Sequence, residues 1–264
     1  MIPPHYTRAY LRHAPLFAAI VRPVEAHLMN ASGRIVEPCL DLGCGDGLFA
    51  SIAFTSPVSV GIDADLPSLR RAGPRHTYNL RVAGRGEALP FKEGAFATIM
   101  SNSVLEHIPD LDATLAECRR VLKPRGRLLI TTPGDAFGRL LLMHSLLRRA
   151  GFNRAAVAYS TWFNRHSRHF HTDSAVTWTK RLNRAGFEVA AAHSYLTPDA
   201  HRAFDVAHYL SVPGWLLHRL TGRWRVTRES WLQRVWQSQL HRLHARALNV
   251  TEGPYLFLDA RKRS

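Results

Sequence analysis

The chain has 264 residues, and its 46% hydrophobic and 21% charged residues give it the composition of a globular protein with a substantial core. Three scattered cysteines exclude a disulfide framework and favour a reducing cytoplasm, while Arg and His interrupt every apolar run well before the about 18 residues that a membrane span needs. The formal net charge of +15 favours an anionic partner, such as nucleic acid or an acidic membrane surface, with a solvated arginine-rich surface as the alternative.

The N-terminal segment, residues 1–33, is predicted to form a helical cap. Apolar residues recur near helical spacing between about Thr7 and Met29. Pro15 and Pro23 predict breaks within this segment, because proline lacks the backbone N–H that a helix interior needs.

Residues 34–133 are predicted to form a cofactor-binding core in which strands alternate with helices. Because right-handed crossovers place helices on both faces of such a sheet, the alternation predicts a doubly wound, mostly parallel sheet. The predicted strands are Val36–Leu42, Val58–Asp63, Leu80–Ala83, Phe96–Met100 and Leu128–Thr132, and the predicted helices begin at Leu48 and Ser68 and span Leu111–Leu122.

The rest of the chain is predicted to complete the same domain. Residues 134–197 form a helical, His- and Arg-rich substrate-side region that ends in a strand over Gly186–Ala192. A helical insert, residues 198–250, precedes a closing strand and tail over residues 251–264. The predicted fold class of residues 1–264 is therefore a single α/β domain of Rossmann-like type, with a seven-stranded, mostly parallel sheet, helices on both faces and a helical insert before the last strand.

The turn after the first strand carries the clearest chemical signal. Its glycines, Gly43, Gly45 and Gly47, let the backbone pass close to a ligand where side chains would collide. Asp63 closes the second strand twenty positions after Gly43, where a carboxylate can accept hydrogen bonds from ribose hydroxyls. Together these features predict an adenosine-type cofactor. A nicotinamide dehydrogenase is the rival interpretation, but its fingerprint expects a third glycine where Leu48 stands.

Five segments in the same order resemble the class I S-adenosylmethionine-dependent methyltransferases, within the broad group that contains the ubiquinone and menaquinone methyltransferases. The segments are Val36–Gly47, Val60–Asp63, Glu87–Phe91, Ser101–Ile108 and Glu117–Gly126. The resemblance implies a Rossmann-like fold, S-adenosylmethionine as the cofactor and methyl transfer as the reaction.

The resemblance also implies which residues hold the cofactor. Asp41 and the backbone of Gly43, Cys44 and Gly45 would face its methionine part, and Asp63 would bind its ribose.

The adenine end departs from the family pattern. The family usually places an Asp where Arg85 stands, and that Asp bonds the adenine amino group; Glu87 is the candidate substitute. The remaining cofactor contacts are assigned to Ala64, Gly86, Ser101 and Asn102.

His107 follows Glu106 at the end of the fourth predicted strand, beside the position that the resemblance implies for the methyl group. A group that titrates near neutrality could accept a proton from the methyl acceptor; the alternative is a structural histidine that bonds a backbone group. Some quinone O-methyltransferases bind a metal through an additional acid three to four residues earlier. Because Asn102 and Ser103 stand there, no metal is expected.

The basic segment after the core is a candidate for substrate binding. His166, His169 and His171 could line the acceptor pocket, and the arginines between them suit an anionic group. The alternative is a basic surface loop that leads into a helix capped by Thr172 or Asp173.

The predicted insert combines tryptophan and arginine. It carries four of the six tryptophans, Trp215, Trp224, Trp231 and Trp236, with arginines such as Arg223 between them. This combination suits docking on an anionic membrane as a peripheral protein; the alternative is a helical lid or a dimer contact.

Three functions follow from these patterns. The leading one is methyl transfer to a small or lipid-linked acceptor in the cytoplasm. A nucleic-acid methyltransferase is the second; the positive charge favours it, but no Pro-Pro-aromatic segment follows the fourth strand to grip a flipped base. The third, suggested by Arg85, is a non-catalytic protein that binds S-adenosylmethionine.

Overall fold

The computed structural model describes residues 1–212, 214, 231–248 and 250–264, apart from the side chains of residues 231–235. These residues contain the strands β1 (Cys39–Leu42), β2 (Val58–Asp63), β3 (Tyr78–Ala83), β4 (Phe96–Asn102), β5 (Leu122–Pro133), β6 (Phe187–Tyr195) and β7 (Tyr255–Lys262). They form one sheet in the order β3-β2-β1-β4-β5-β7-β6, in which β7 runs antiparallel to β5. The predicted seven-stranded, mostly parallel sheet is confirmed.

The described residues also contain the α-helices. They are α1 (Pro4–His13), α2 (Ala18–Ala31), α3 (Leu48–Ala53), α4 (Leu66–Ala72), α5 (Leu111–Val121), α6 (Leu142–Arg149), α7 (Asn153–His166), α8 (Ala175–Arg184), α9 (Pro198–Leu210) and α10 (Trp231–His244). Helix α8 is capped by the Ser174 hydroxyl, which accepts from the N–H of Thr177 at 3.2 Å. The interpretation that Thr172 or Asp173 caps this helix is therefore wrong.

The centre of the sheet is buried on both faces. Leu40 of β1 pairs with Val60 on one side and Ile99 on the other, and Leu40 and Ile99 are fully buried. Continuous apolar strands of this kind are expected where helices cover both faces of a parallel sheet. The carboxyl ends of β1, β2 and β4 consequently meet along one edge of the sheet, and the predicted functional turns follow these ends.

Two predicted features of the first 40 residues are wrong. The first strand begins at Cys39 rather than Val36, because Pro38 has no N–H to join the sheet and Val36 is exposed. Pro23 lies inside α2 without ending it. Burial explains this tolerance: Val24, next to it, is fully buried and holds the helix in place.

The chain divides into two compact units. Unit 1 consists of Met1–His27, Ala136–Ser167 and Ser194–Pro254, and unit 2 consists of Leu28–Asp135, Arg168–His193 and Tyr255–Ser264. Unit 1 contains α1, α6, α7, α9 and α10, whereas unit 2 contains almost all of the sheet. The single-domain organisation with its five segments stays a prediction.

Within the part of the chain that the structure describes, no helix is both long enough and apolar enough to cross a membrane.

Candidate functional site

The turn between β1 and α3 is shaped by three glycines. Gly43, Gly45 and Gly47 have φ of +78°, +54° and +73°, the left-handed conformation that favours glycine. The N–H groups of Gly43 and Cys44 donate to Ile62 O at the end of β2, at 2.9 and 3.0 Å. A Cβ added at Gly45 would meet no described atom within 4 Å. At Gly45 the turn therefore presents its backbone to open space, as a ligand cradle requires.

Asp63, the last residue of β2, binds this turn through its carboxylate. Its Oδ2 accepts from the N–H of Gly45 at 2.7 Å, and its Oδ1 accepts from the N–H of Asp65 at 2.7 Å. A carboxylate offers about four lone-pair sites, so each oxygen can accept a further hydrogen bond. The structure thus brings together the turn and the acidic residue that the sequence had linked only by spacing.

Asp41 lies below the turn in β1 and is almost fully buried. The Tyr78 hydroxyl donates to Asp41 Oδ2 at 2.6 Å. Burial raises the pKa of Asp41 to about 7; the Tyr78 hydrogen bond lowers it, and the nearby Asp63 charge raises it. Near neutral pH, Asp41 therefore exchanges between a neutral and a charged form. Tyr78 lies in no recognisable motif, so its hydrogen bond to Asp41 could not be predicted from the sequence.

At the predicted adenine end, Arg85 and Glu87 form an ion pair at 2.9 Å. The hydrogen bond from Arg85 lowers the pKa of Glu87, so this carboxylate is ionised and already engaged. Gly86 packs tightly, since an added Cβ would lie 2.9 Å from Thr114 Cγ2. Ala64, which follows Asp63 in the chain, is exposed.

The end of β4 is fixed by polar contacts with its neighbours. The Ser101 hydroxyl is fully buried and donates to Leu42 O at 3.3 Å, so the side chain braces β4 against β1. Asn102 Nδ2 donates to Thr131 Oγ1 of β5 at 2.6 Å. These bonds hold the start of the His107 turn in register with the glycine turn after β1.

His107 ends a short 3-10 turn, Leu105–His107, that follows β4. Its Nδ1 lies 3.1 Å from Arg168 O, and its Nε2 lies 3.8 Å from Glu106 Oε1. A carbonyl oxygen can only accept, so Nδ1 carries the proton in this bond, and in neutral His107 the lone pair is on Nε2. The side chain is 42% exposed.

The loop from Arg168 to His171 packs against the same turn. The N–H of Phe170 donates to Glu106 O at 2.7 Å, and His171 Nε2 lies 3.0 Å from Ile108 O. The ring centroids of His169 and His107 are 5.3 Å apart. Burial, and secondarily the charge of His107, lowers the pKa of His169 to about 4, so this ring is neutral at physiological pH.

Glu106, His107 and His169 could together hold a metal ion. One ligand atom from each lies within 4.8 Å of the other two, and Glu106 is buried. Two imidazoles and a carboxylate suit zinc or a similar divalent transition metal. The sequence predicted no metal because no acid stands just before Glu106 and His107, and His169 lies 62 positions after His107 in the chain.

His166, the third predicted substrate residue, belongs to unit 1. It stacks on Trp162 with a centroid distance of 5.4 Å and lies 6.4 Å from the ring of His208. His169 and His171, in contrast, belong to unit 2 with His107.

Comparison with known proteins identifies the family. Residues 5–192, more than half of the chain, match a family model described as a methyltransferase domain. A malonyl-[acyl-carrier protein] O-methyltransferase of Methylococcus capsulatus is 34% identical over 45% of this chain and 46% of its own length. A ubiquinone biosynthesis O-methyltransferase of Xanthomonas oryzae is 32% identical over 41% of this chain and 46% of its own length. The chain thus spans less than half the length of these curated relatives.

Solved structures share the fold at low sequence identity. Phosphoethanolamine N-methyltransferase 2 of Haemonchus contortus, in complex with S-adenosyl-L-methionine, has a TM-score of 0.56 at 18% identity and covers 92% of this chain and 53% of its own. Geranyl diphosphate C-methyltransferase of Streptomyces coelicolor has a TM-score of 0.54 at 17% identity and covers 91% of this chain and 77% of its own. The predicted fold and enzyme class are confirmed. The chain belongs to the methyltransferase domain family.

Proposed function

We propose that this enzyme transfers the methyl group of S-adenosylmethionine to a small or lipid-linked acceptor, with the cosubstrate held between the glycine turn and Asp63. The observation that carries the proposal is the bond from Gly45 N–H to Asp63 Oδ2, because it fixes an acceptor carboxylate beside an open backbone cradle. The residues present fit the cosubstrate, since a carboxylate with free lone pairs suits the two ribose hydroxyls.

The other cofactor contacts follow the same edge of the sheet. When bound, S-adenosylmethionine would supply a methyl group on a positively charged sulfur; the acceptor atom would bond to the methyl carbon as the carbon–sulfur bond breaks, leaving a neutral thioether. Asp41, when ionised, adds negative charge beneath the turn and favours a cationic ligand. The further proposed contacts are the backbones of Gly43, Cys44 and Ser101, together with Ala64, Gly86, Glu87 and Asn102.

Calorimetry on an Asp63 variant tests the cosubstrate site. Asp63→Ala should weaken S-adenosylmethionine binding about tenfold or more through loss of charge-assisted hydrogen bonds. Asp112→Ala is the matched control, since it removes a carboxylate that is 80% exposed on α5. If both Asp63→Ala and Asp112→Ala bind S-adenosylmethionine with unchanged affinity, the assignment of Asp63 to the ribose is wrong.

For the chemical step, we propose that His107 accepts the proton that the acceptor loses. Its Nδ1 is engaged by Arg168 O, which leaves Nε2 as the basic atom. We also propose that His169 and His171, which lie in unit 2 with His107, bind the acceptor. The assignment of His166, in unit 1, stays a prediction. His107→Ala should lower turnover about a hundredfold with nearly unchanged cosubstrate affinity, and added imidazole should restore part of the rate. Parallel losses of stability and cosubstrate affinity would support a structural histidine instead.

A second role for the same residues, as ligands of a divalent metal, is favoured by the convergence of Glu106, His107 and His169. In that case chelation should abolish turnover, and zinc should restore it. His169→Ala should then weaken zinc binding at least as strongly as His107→Ala. Full activity after chelation leaves proton acceptance as the role of His107.

The names of the relatives support an acceptor that is small, lipid-linked or carried by an acyl carrier protein. We propose a cytoplasmic enzyme that reaches amphiphilic acceptors by peripheral docking on an anionic membrane. Trp215, Trp224 and Arg223, the residue types that suit such docking, lie outside the described residues. In unit 1, Phe152 and Trp162 are 63% and 49% exposed and add apolar surface.

Vesicle sedimentation tests the membrane proposal. Anionic vesicles should pull down the protein at low salt and neutral vesicles should not, because each Lys or Arg near an anionic leaflet contributes about 1 kcal/mol. Replacing Trp215, Trp224 and Arg223 should reduce the effect. If the protein stays in the supernatant with anionic vesicles at low salt, a soluble acceptor becomes the preferred substrate class.

A further inference from the structure

A groove of about 800 Å³ lies between α5 and α8 in unit 2, apart from the residues assigned above. Helix α5 contributes Asp112, Ala116 and Arg119, which are spaced by four and three positions and so share one face of the helix. Thr177 and Arg184 of α8 are seven positions apart and share its groove-facing side. Each stripe extends over about 10 Å of helix, or about two turns.

The rim of the groove is strongly positive. Arg181 is balanced by Asp112 at 3.2 Å and by Asp173 at 3.5 Å. Arg119, Lys180 and Arg184 also line the groove, and among the described residues no ion pair joins any of them to a carboxylate. The groove therefore carries four positive charges against two carboxylates, a net charge of +2.

Between these charges the lining is small. Ala116, Ala185 and Gly186 leave the helix surfaces close to the groove. Gly186 has φ of +84°, and an added Cβ there would lie 2.8 Å from Arg119 Cδ. The glycine thus makes room for the Arg119 side chain, which lies over it. A ridge of apolar side chains from another molecule can approach the groove at the exposed Ala116, between the charged groups.

We propose that this groove binds an acidic α-helix of a partner protein. Glutamates spaced by one turn on such a helix can meet Lys180 and Arg184, which are themselves one turn apart. An apolar ridge between the glutamates fits the small residues, as in other helix-in-groove complexes. A nucleic-acid backbone could pair with the positive charges, but it has no apolar ridge to pack against the small lining residues. The groove therefore favours a protein helix.

The place of the groove in the chain gives the docking a direction. Helix α5 begins at Leu111, four positions after His107, and α8 begins at Ala175, six positions after His169. The loops that lead into the two lining helices are joined by the contact of His171 Nε2 with Ile108 O at 3.0 Å. A partner seated at the N-terminal ends of these helices is therefore separated from His107 and His169 by one short loop on each helix. The inference does not depend on which acceptor is methylated.

The probe is a synthetic amphipathic peptide of five helical turns, with an alanine ridge flanked by glutamates, and its control is the same peptide with a central proline that breaks the helix. Fluorescence anisotropy with the full chain at low salt should give at least about tenfold tighter binding of the helical peptide. Lys180→Glu with Arg184→Glu should weaken this binding at least about tenfold. The matched control, Lys92→Glu with Lys123→Glu, reverses the charge of two exposed lysines outside the groove, the same total change in charge, and should have little effect.

A shape variant separates a protein helix from a general polyanion. Ala116→Leu narrows the groove without changing its charge, so it should weaken the helical peptide severalfold and leave the binding of a short RNA duplex unchanged. Equal affinity for the two peptides, equal effects of the two double variants, or no effect of Ala116→Leu would overturn the proposal. Thermal unfolding and S-adenosylmethionine calorimetry on every variant keep a folding defect, or a failure of the cosubstrate assignment, distinct from a failure of docking.

Discussion

The buried carboxyl of Asp41 should give the protein an unusual dependence of stability on pH. Its pKa is 3.8 in an ordinary setting and about 7 in the folded protein. As pH rises from about 4 to about 7, the unfolded chain loses this proton while the folded protein keeps it, so the free energy of unfolding falls. The difference between the two pKa values corresponds to about 4 kcal/mol once pH exceeds 7.

Asp41→Asn removes this titration while keeping an oxygen that can accept from the Tyr78 hydroxyl. The variant should have nearly wild-type stability at pH 4 and should gain on the wild type by about 4 kcal/mol by pH 8. Urea unfolding of both proteins, measured every half unit of pH, tests this, since all other groups titrate alike in the two chains. Two stability profiles that stay parallel over this range would mean that Asp41 is ionised throughout, and the reasoning from its burial would fail.

Two further predictions concern the scaffold. Arg127→Ala should lower the free energy of unfolding by about 3 kcal/mol in urea titrations, because it leaves the Asp259 carboxylate, only 13% exposed, without its two-pronged partner; a loss below about 1 kcal/mol would mean that the carboxylate finds water. Gly186→Ala should cost more stability than Gly151→Ala, because both glycines have positive φ, +84° and +83°, but an added Cβ meets Arg119 only at Gly186. Equal melting temperatures of the two glycine variants would contradict that contact.

The strands in the core could be predicted because their signal is local. Val58–Asp63 is observed with the predicted bounds, since its apolar run ends at an acidic residue that begins a turn. The start of β5 could not be predicted in the same way. Leu122 joins the sheet by pairing with Phe96, across an irregularity in the register of β4, and the intervening Pro124 and Gly126 indicate a turn when read locally. Pairing with a neighbouring strand overrides that local preference.

The same contrast separates the two halves of the site. Gly45 and Asp63 could be linked from the sequence because one strand–turn–helix unit and the next strand fix their distance. The meeting of Glu106 with His169 could not, because it depends on a loop that returns after 63 positions and is anchored by a bond from Phe170 N–H to Glu106 O. No periodic pattern encodes such a return; only the completed fold supplies it.

The place of β7 in the sheet has a consequence for biosynthesis. Strand β5 ends at Pro133, and the strand that pairs with it directly, β7, begins only at Tyr255. During translation the backbone edge of β5 therefore stays unpaired with β7 until more than a hundred further residues have been synthesised. An apolar strand with an open edge is an aggregation hazard for as long as it waits. Nascent chains stalled between these two strands should accordingly be strong clients of chaperones that bind exposed strand edges, and chains extended past Lys262 should escape them.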